Sequence, residues 1–189
     1  LGPGTDEIRG TVDGIDVLST GIGTDARNVI DVQGGTVTGD TDDDGDGDGI
    51  VATALAGGLV VPRAATNEIT TAGDVTGANG ITAVAMSANG HATNTIVANG
   101  DVTGTYGDGI VAVSASADVE GLDDLDDVDL PDLTDIGSLD PDALAALPVG
   151  AGTANVSITT TGNVTGAGNG ITALAMGQSG VVDIDTSAG

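Results

Sequence analysis

The densest run of chemically capable side chains is Asp42-Asp43-Asp44-Gly45-Asp46-Gly47-Asp48, closed by Gly49-Ile50. Carboxylates at alternate positions, with glycines between them, let a short loop turn several hard oxygen donors onto one cation, and calcium takes roughly six to eight such oxygens. Asp42, Asp44, Asp46 and Asp48 are therefore the candidate metal ligands, and calcium the candidate cofactor. The twelfth position counted from Asp44 is Leu55, so the bidentate glutamate of a helix-loop-helix calcium site is absent. A calcium-binding Asp/Gly turn is the better description. The bland alternative is a solvated acidic loop without an ion.

Other polar residues recur at turns. Asp40, Asp74, Asp101, Asp108, Asn163 and Asn169 all stand beside glycines in similar frames, where Asp and Asn favour tight backbone geometry. Stacked as ladders, their carboxylates would need cations or protons between rungs. His91, in Asn89-Gly90-His91, reads as a surface turn residue, and Tyr106, in Thr105-Tyr106-Gly107-Asp108, as the cover of a loop. Asn155-Val156-Ser157 and Asn163-Val164-Thr165 match the glycosylation sequon. No catalytic set emerges. The basic residues are Arg9, Arg27 and Arg63 alone, none placed beside a distinctive acidic pair, and the many aspartates offer no way to choose a glycosidase pair. A non-enzymatic protein is expected.

Charge and composition set the outer limits. Lys and Arg total 3 and Asp and Glu 29, a formal net charge of −26, and the glutamates are only Glu7, Glu68 and Glu120. A nucleic-acid binder needs the opposite sign of surface. One tyrosine, no Trp, no Phe and no Cys exclude an aromatic core and a disulfide framework. Yet 39% of the residues are hydrophobic, more than an acidic disordered tail carries. No apolar run reaches the roughly 18 residues of a membrane span. The chain begins at Leu1 without a basic leader, so a secretion signal is expected to have been removed already.

The elements that must position these residues come from a repeat. Gly73-Asp74-Val75-Thr76-Gly77 leads to Gly80-Ile81-Thr82-Ala83-Val84-Ala85-Met86; the frame returns from Gly100 to Ser114, from Gly162 to Met176, and from Gly35 to Ala54 with an aspartate-expanded loop. A degenerate first copy is Gly10-Thr11-Val12-Asp13-Gly14-Ile15. Val75 to Val102 is 102 − 75 = 27 residues, the length of one coil with three short strands. The predicted fold is all-β, a parallel and right-handed β-solenoid of about five to six coils, forming one domain over residues 1–189. An acidic, leucine-bearing insert occupies residues 120–148, with a short helix over Asp140–Pro148. Coils one strand spacing apart, roughly 4.8 Å, would stack Ile50, Ile81, Ile110 and Ile171 in one ladder and Val37, Val75, Val102 and Val164 in another.

The frame Gly-Asp/Asn-Val-Thr-Gly…Gly-Ile-x-Ala-x-Ala/Ser resembles the repeats in passenger domains of bacterial autotransporters and related surface β-helix proteins, over roughly residues 10–56, 67–118 and 155–186. That resemblance implies secretion, surface display, and adhesion or assembly; without a membrane barrel, it implies a processed or fragmentary passenger.

Two features bear on partners. The strand after each Gly-Ile is apolar on both faces: beside the inward set stand Thr82, Val84, Met86, Val111, Val113, Leu174 and Met176, a stripe to be covered either by residues 121–139 or by another subunit. The ends read as partial coils, Val181–Gly189 stopping where Gly-x-Val-x-Gly should follow, which leaves strand edges for head-to-tail stacking. The expected function is a subunit of an extracellular filament or surface layer, a homopolymer joined through the solenoid ends. The alternatives are a monomeric adhesin or passenger stalk meeting glycans or cell-surface components, and a polysaccharide-binding or degrading β-helix.

Overall fold

A computed structural model describes residues 7–58, 61–117 and 150–187. The described chain is all-β: a parallel solenoid of five coils with three strands each. The first coil holds β1 (Glu7–Arg9), β2 (Ile15–Ile22) and β3 (Ala26–Val32), and the second β4 (Thr36–Thr38), β5 (Ile50–Gly57) and β6 (Ala65–Thr71). The third holds β7 (Val75–Gly77), β8 (Ile81–Ala88) and β9 (Ala92–Ala98), and the fourth β10 (Val102–Gly104), β11 (Ile110–Ala117) and β12 (Thr153–Thr160). The fifth holds β13 (Val164–Gly166), β14 (Ile171–Met176) and β15 (Ser179–Asp185). The strands form three five-stranded sheets: β1-β4-β7-β10-β13, β2-β5-β8-β11-β14 and β3-β6-β9-β12-β15.

Register is held from coil to coil, so like residues stack on like. Ile15, Ile50, Ile81, Ile110 and Ile171 form one column, and Ile30, Ile69, Ile96, Ile158 and Ile184 a second. Val37, Val75, Val102 and Val164 form the third, headed by Ile8. The three columns point into one narrow core, completed by alanines such as Ala52, Ala83 and Ala112. A cross-section of three short strands has no room for aromatic rings, which accounts for the small-residue composition. In the first four coils the glycine before the column isoleucine is required by close approach. A Cβ on Gly49 would lie 2.5 Å from the carbonyl oxygen of Gly80 and 2.6 Å from Val75 Cγ1, and one on Gly109 would lie 2.6 Å from Gly170 O and Val164 Cγ1.

The first copy has a different frame from the expected one. Ile8 pairs with Val37, so Gly10 aligns with Gly39, the closing glycine of Gly-x-Val-x-Gly rather than the opening one. Val12 is 53% exposed in the connection. The strand needs an inward β-branched residue flanked by outward polar ones, and Glu7-Ile8-Arg9 supplies that as well as Thr36-Val37-Thr38 does. The insert 120–148, its Asp140–Pro148 helix and the covering role given to 121–139 lie outside the described residues. On the apolar stripe, Val84, Val111 and Val113 are buried, while Leu18 and Ile22 of β2, in the first coil, are exposed.

Candidate functional site

The second coil departs from the plain pattern at its first corner. Ten residues, 40–49, follow Gly39 where three, 78–80, follow Gly77 one coil later. The expansion begins with Asp40 in a left-handed conformation (φ 50°) and continues through Asp43 (φ 61°) and Gly45 (φ 90°). Asp40 fixes the turn: its Oδ1 accepts the backbone N–H of Asp44 at 3.0 Å and of Gly45 at 3.1 Å. Asp40 N–H in turn donates to the Val12 carbonyl at 2.7 Å, anchoring the loop to the first coil.

The four sequence candidates separate. Asp44 and Asp46 come together with Asp40, one carboxylate oxygen from each lying within 4.8 Å of the others. Interaction between the two carboxyls holds Asp44 below its ordinary range, and the same interaction, with the charge of Asp44, pushes Asp46 up. Asp42 is exposed and outside that trio. Asp48 is committed elsewhere. Its Oδ1 accepts the backbone N–H of Asn79 at 2.9 Å and the Asn79 side-chain amide at 3.0 Å, and its Oδ2 accepts the Thr82 hydroxyl at 2.5 Å.

Asp48 belongs to a corner ladder. Asp13 Oδ1 accepts the N–H of Asp48 (2.8 Å), Asn79 Oδ1 that of Asp108 (2.8 Å) and Asp108 Oδ1 that of Asn169 (2.7 Å). A second ladder joins Asp74, Asp101 and Asn163: Asp74 Oδ1 accepts the N–H of Asp101 at 2.9 Å and Asp101 Oδ1 that of Asn163 at 2.8 Å. These rungs use backbone N–H donors of the next coil, so no cation is required between them. Amide rungs also separate Asp48, Asp108 and the coil beyond, while Asp13 and Asp48 are adjacent. Burial, with the nearby charges of Asp48 and Asp16, accordingly raises the Asp13 carboxyl.

A third polar column runs inside the core. Asn28, Asn67 and Asn94 are buried; Asn28 Nδ2 donates to Asn67 Oδ1 at 2.9 Å, and Asn67 Nδ2 to Asn94 Oδ1 at 2.8 Å. Their amides also reach strand carbonyls across the core, Asn67 to Val84 O at 2.7 Å and Asn94 to Val113 O at 2.6 Å. Both ends meet a serine: the Ser19 hydroxyl donates to Asn28 Oδ1, and Asn94 Nδ2 donates to Ser114 Oγ at 3.1 Å. In the fourth coil Val156 takes the asparagine register and the column stops. These three asparagines are not turn residues and were not among the sequence candidates. The available signal was the identical frame Ala-x-Asn-x-Ile at Ala26, Ala65 and Ala92.

Tyr106 ties two loops together. It stands in the fourth coil, yet its hydroxyl donates to the Asp43 carbonyl at 2.8 Å and its ring faces Gly45 in the second coil, spanning the short corner 78–80. His91 is a surface residue whose Nδ1 lies 2.8 Å from Thr153 Oγ1. Asn163 of the second sequon is part of the corner ladder described above. No helix among the described residues is long and apolar enough to cross a membrane. No family model, curated protein or solved structure matches the chain.

Proposed function

We propose that this chain is a non-enzymatic structural subunit whose solenoid ends stack head to tail into an extracellular filament or surface layer. The supporting observation is the state of the core columns at the end coil. Ile158 in β12 is 1% exposed, whereas Ile184, its register partner in β15, is 43% exposed and Val182 beside it is 44% exposed. Among the described residues β15 pairs with β12 alone, and β1, β2 and β3 have partners on one side only. Parallel strands with an open, apolar edge are templates for further strands. The occupant that fits is a second copy. Its first coil presents the same three-strand order in the same register, so β1, β2 and β3 would continue the columns of β13, β14 and β15. Such a contact is heterologous and does not close on itself.

The net charge of −26 opposes assembly at low ionic strength, and screening removes that opposition. Lateral association has less support, because Val84, Val111 and Val113 of the stripe are already buried and Leu18 and Ile22 remain exposed at one end. Ile184→Lys places a charge in the proposed axial contact while leaving the inner coils untouched. In size-exclusion chromatography with light scattering at high salt, the parent chain is expected to run as a concentration-dependent series and the variant as a monomer. A variant that still assembles, or a parent that stays monomeric when concentrated, overturns the proposal.

A further inference from the structure

The strongest unexplained feature is the Asp40 carboxylate. Asp40 is 8% exposed; its Oδ1 accepts two backbone N–H groups, but its Oδ2 is buried and has no hydrogen-bond donor. Withdrawing an ionised oxygen from water without a donor is costly, and the cost is relieved by a cation or a proton. That residue faces the carboxylates of Asp44 and Asp46, the three contributing one oxygen each within 4.8 Å. One oxygen of the side chain thus lacks a partner in a residue on which two further carboxylates converge.

We propose that Asp40, Asp44 and Asp46 form a calcium site. All donors are hard oxygens, which excludes the softer transition metals as the preferred ion. Calcium suits the arrangement better than magnesium, since the ligands come from a single seven-residue run and Asp44 and Asp46 are exposed, leaving positions for water in a large, adaptable coordination sphere. Magnesium demands near-ideal octahedral geometry and gives up its water reluctantly. Asp42 is not a ligand, and Asp48 is excluded because both of its oxygens serve the corner ladder. Occupation would set a loop of the second coil firmly under Tyr106 of the fourth, so calcium acts as a clamp along the solenoid axis. This site stands independently of end stacking, and either can fail without the other.

The chain carries its own probe. Tyr106 is the single aromatic residue, and it touches Gly45, between two of the three ligands. Terbium, a luminescent calcium surrogate, emits on tyrosine excitation only when bound close to that ring. Titration of the whole chain with terbium is expected to give sensitised emission that excess calcium abolishes and equal magnesium does not. Asp46→Asn, at an exposed position, and Asp40→Asn are expected to weaken terbium binding about tenfold or more, as the ligand charge falls, and Asp42→Asn to leave it unchanged. Absence of sensitised emission, emission that calcium fails to displace, or equal binding by parent, Asp40→Asn and Asp46→Asn overturns the assignment.

Discussion

Aspartate does two different jobs in this solenoid, and the contrast between the stacked corners and the 40–48 loop shows what decides which. At the corners, each Asp or Asn oxygen meets a backbone N–H one coil away, as Asp108 Oδ1 meets Asn169. The charge is stabilised by an oriented donor, and repetition spaces it from the next. In the loop, the chain leaves the coil spacing, the donors are no longer delivered by a neighbouring coil, and Asp44 and Asp46 face each other and Asp40. Asp48 stands at the boundary: it follows the alternating acidic motif in sequence but belongs to the ladder in space. Position relative to the coil, more than residue type, sets the chemistry.

Substitutions separate the two regimes. The largest loss is expected for Asn67→Ala inside the core, which takes one hydrogen-bond partner each from Asn28 Nδ2, Ala52 O, Val84 O and Asn94 Oδ1. At about 1–3 kcal/mol for a buried group left unsatisfied, the change should cost about 3 kcal/mol or more in chemical denaturation. A cost near zero would mean the column adds nothing to coil stacking. Asp48→Ala removes the acceptor for Asn79 and Thr82 and should cost about 1–3 kcal/mol, while Asp48→Asn, which keeps an oxygen for the Asn79 N–H, should cost clearly less. Equal costs would show that charge rather than the rung matters there. Tyr106→Phe breaks only the exposed bond to Asp43 and should cost about 0.5–1 kcal/mol. Asp42→Ala, at an exposed loop position outside the trio, should stay within about 0.5 kcal/mol of the parent.

A pH measurement sharpens the ladder side further. Burial raises the Asp13 carboxyl above its ordinary value of 3.8. The folded chain therefore holds that proton more tightly than the unfolded chain, and stability falls as pH rises from that value through the folded pKa. Asp13→Asn keeps an oxygen for the Asp48 N–H and removes the titration, so its melting temperature should exceed that of the parent at neutral pH and converge with it in acid. A variant less stable than the parent at neutral pH would contradict it.

Much of the architecture was legible because the repeat is literal. Gly-Ile and Gly-x-Val-x-Gly place β-branched residues at one inward position per strand, and their spacing alone yields coils, parallel strands and two of the three core columns. The first coil was harder to frame, since Glu7-Ile8-Arg9 lacks the glycines and threonine of its copies and only pairing with β4 shows that Ile8 does the work of valine. The grouping of the loop carboxylates was half legible. Alternation picked out Asp44 and Asp46, which the structure brings together, but it could not show that Asp40 turns back over the loop, or that Asp48 is claimed by Asn79 of the next coil. The asparagine column went unseen because a buried polar ladder has the same sequence appearance as a turn residue until its frame is aligned with the isoleucine two positions on.

End stacking is tested most directly by electron microscopy of the purified chain across a salt series. Five coils at roughly 4.8 Å each give an axial length of about 24 Å per subunit, so rods of constant width should appear as charge is screened, with lengths in multiples of that value. Single subunits alone, at high concentration and high salt, would contradict the assignment of this solenoid as a self-stacking structural protein.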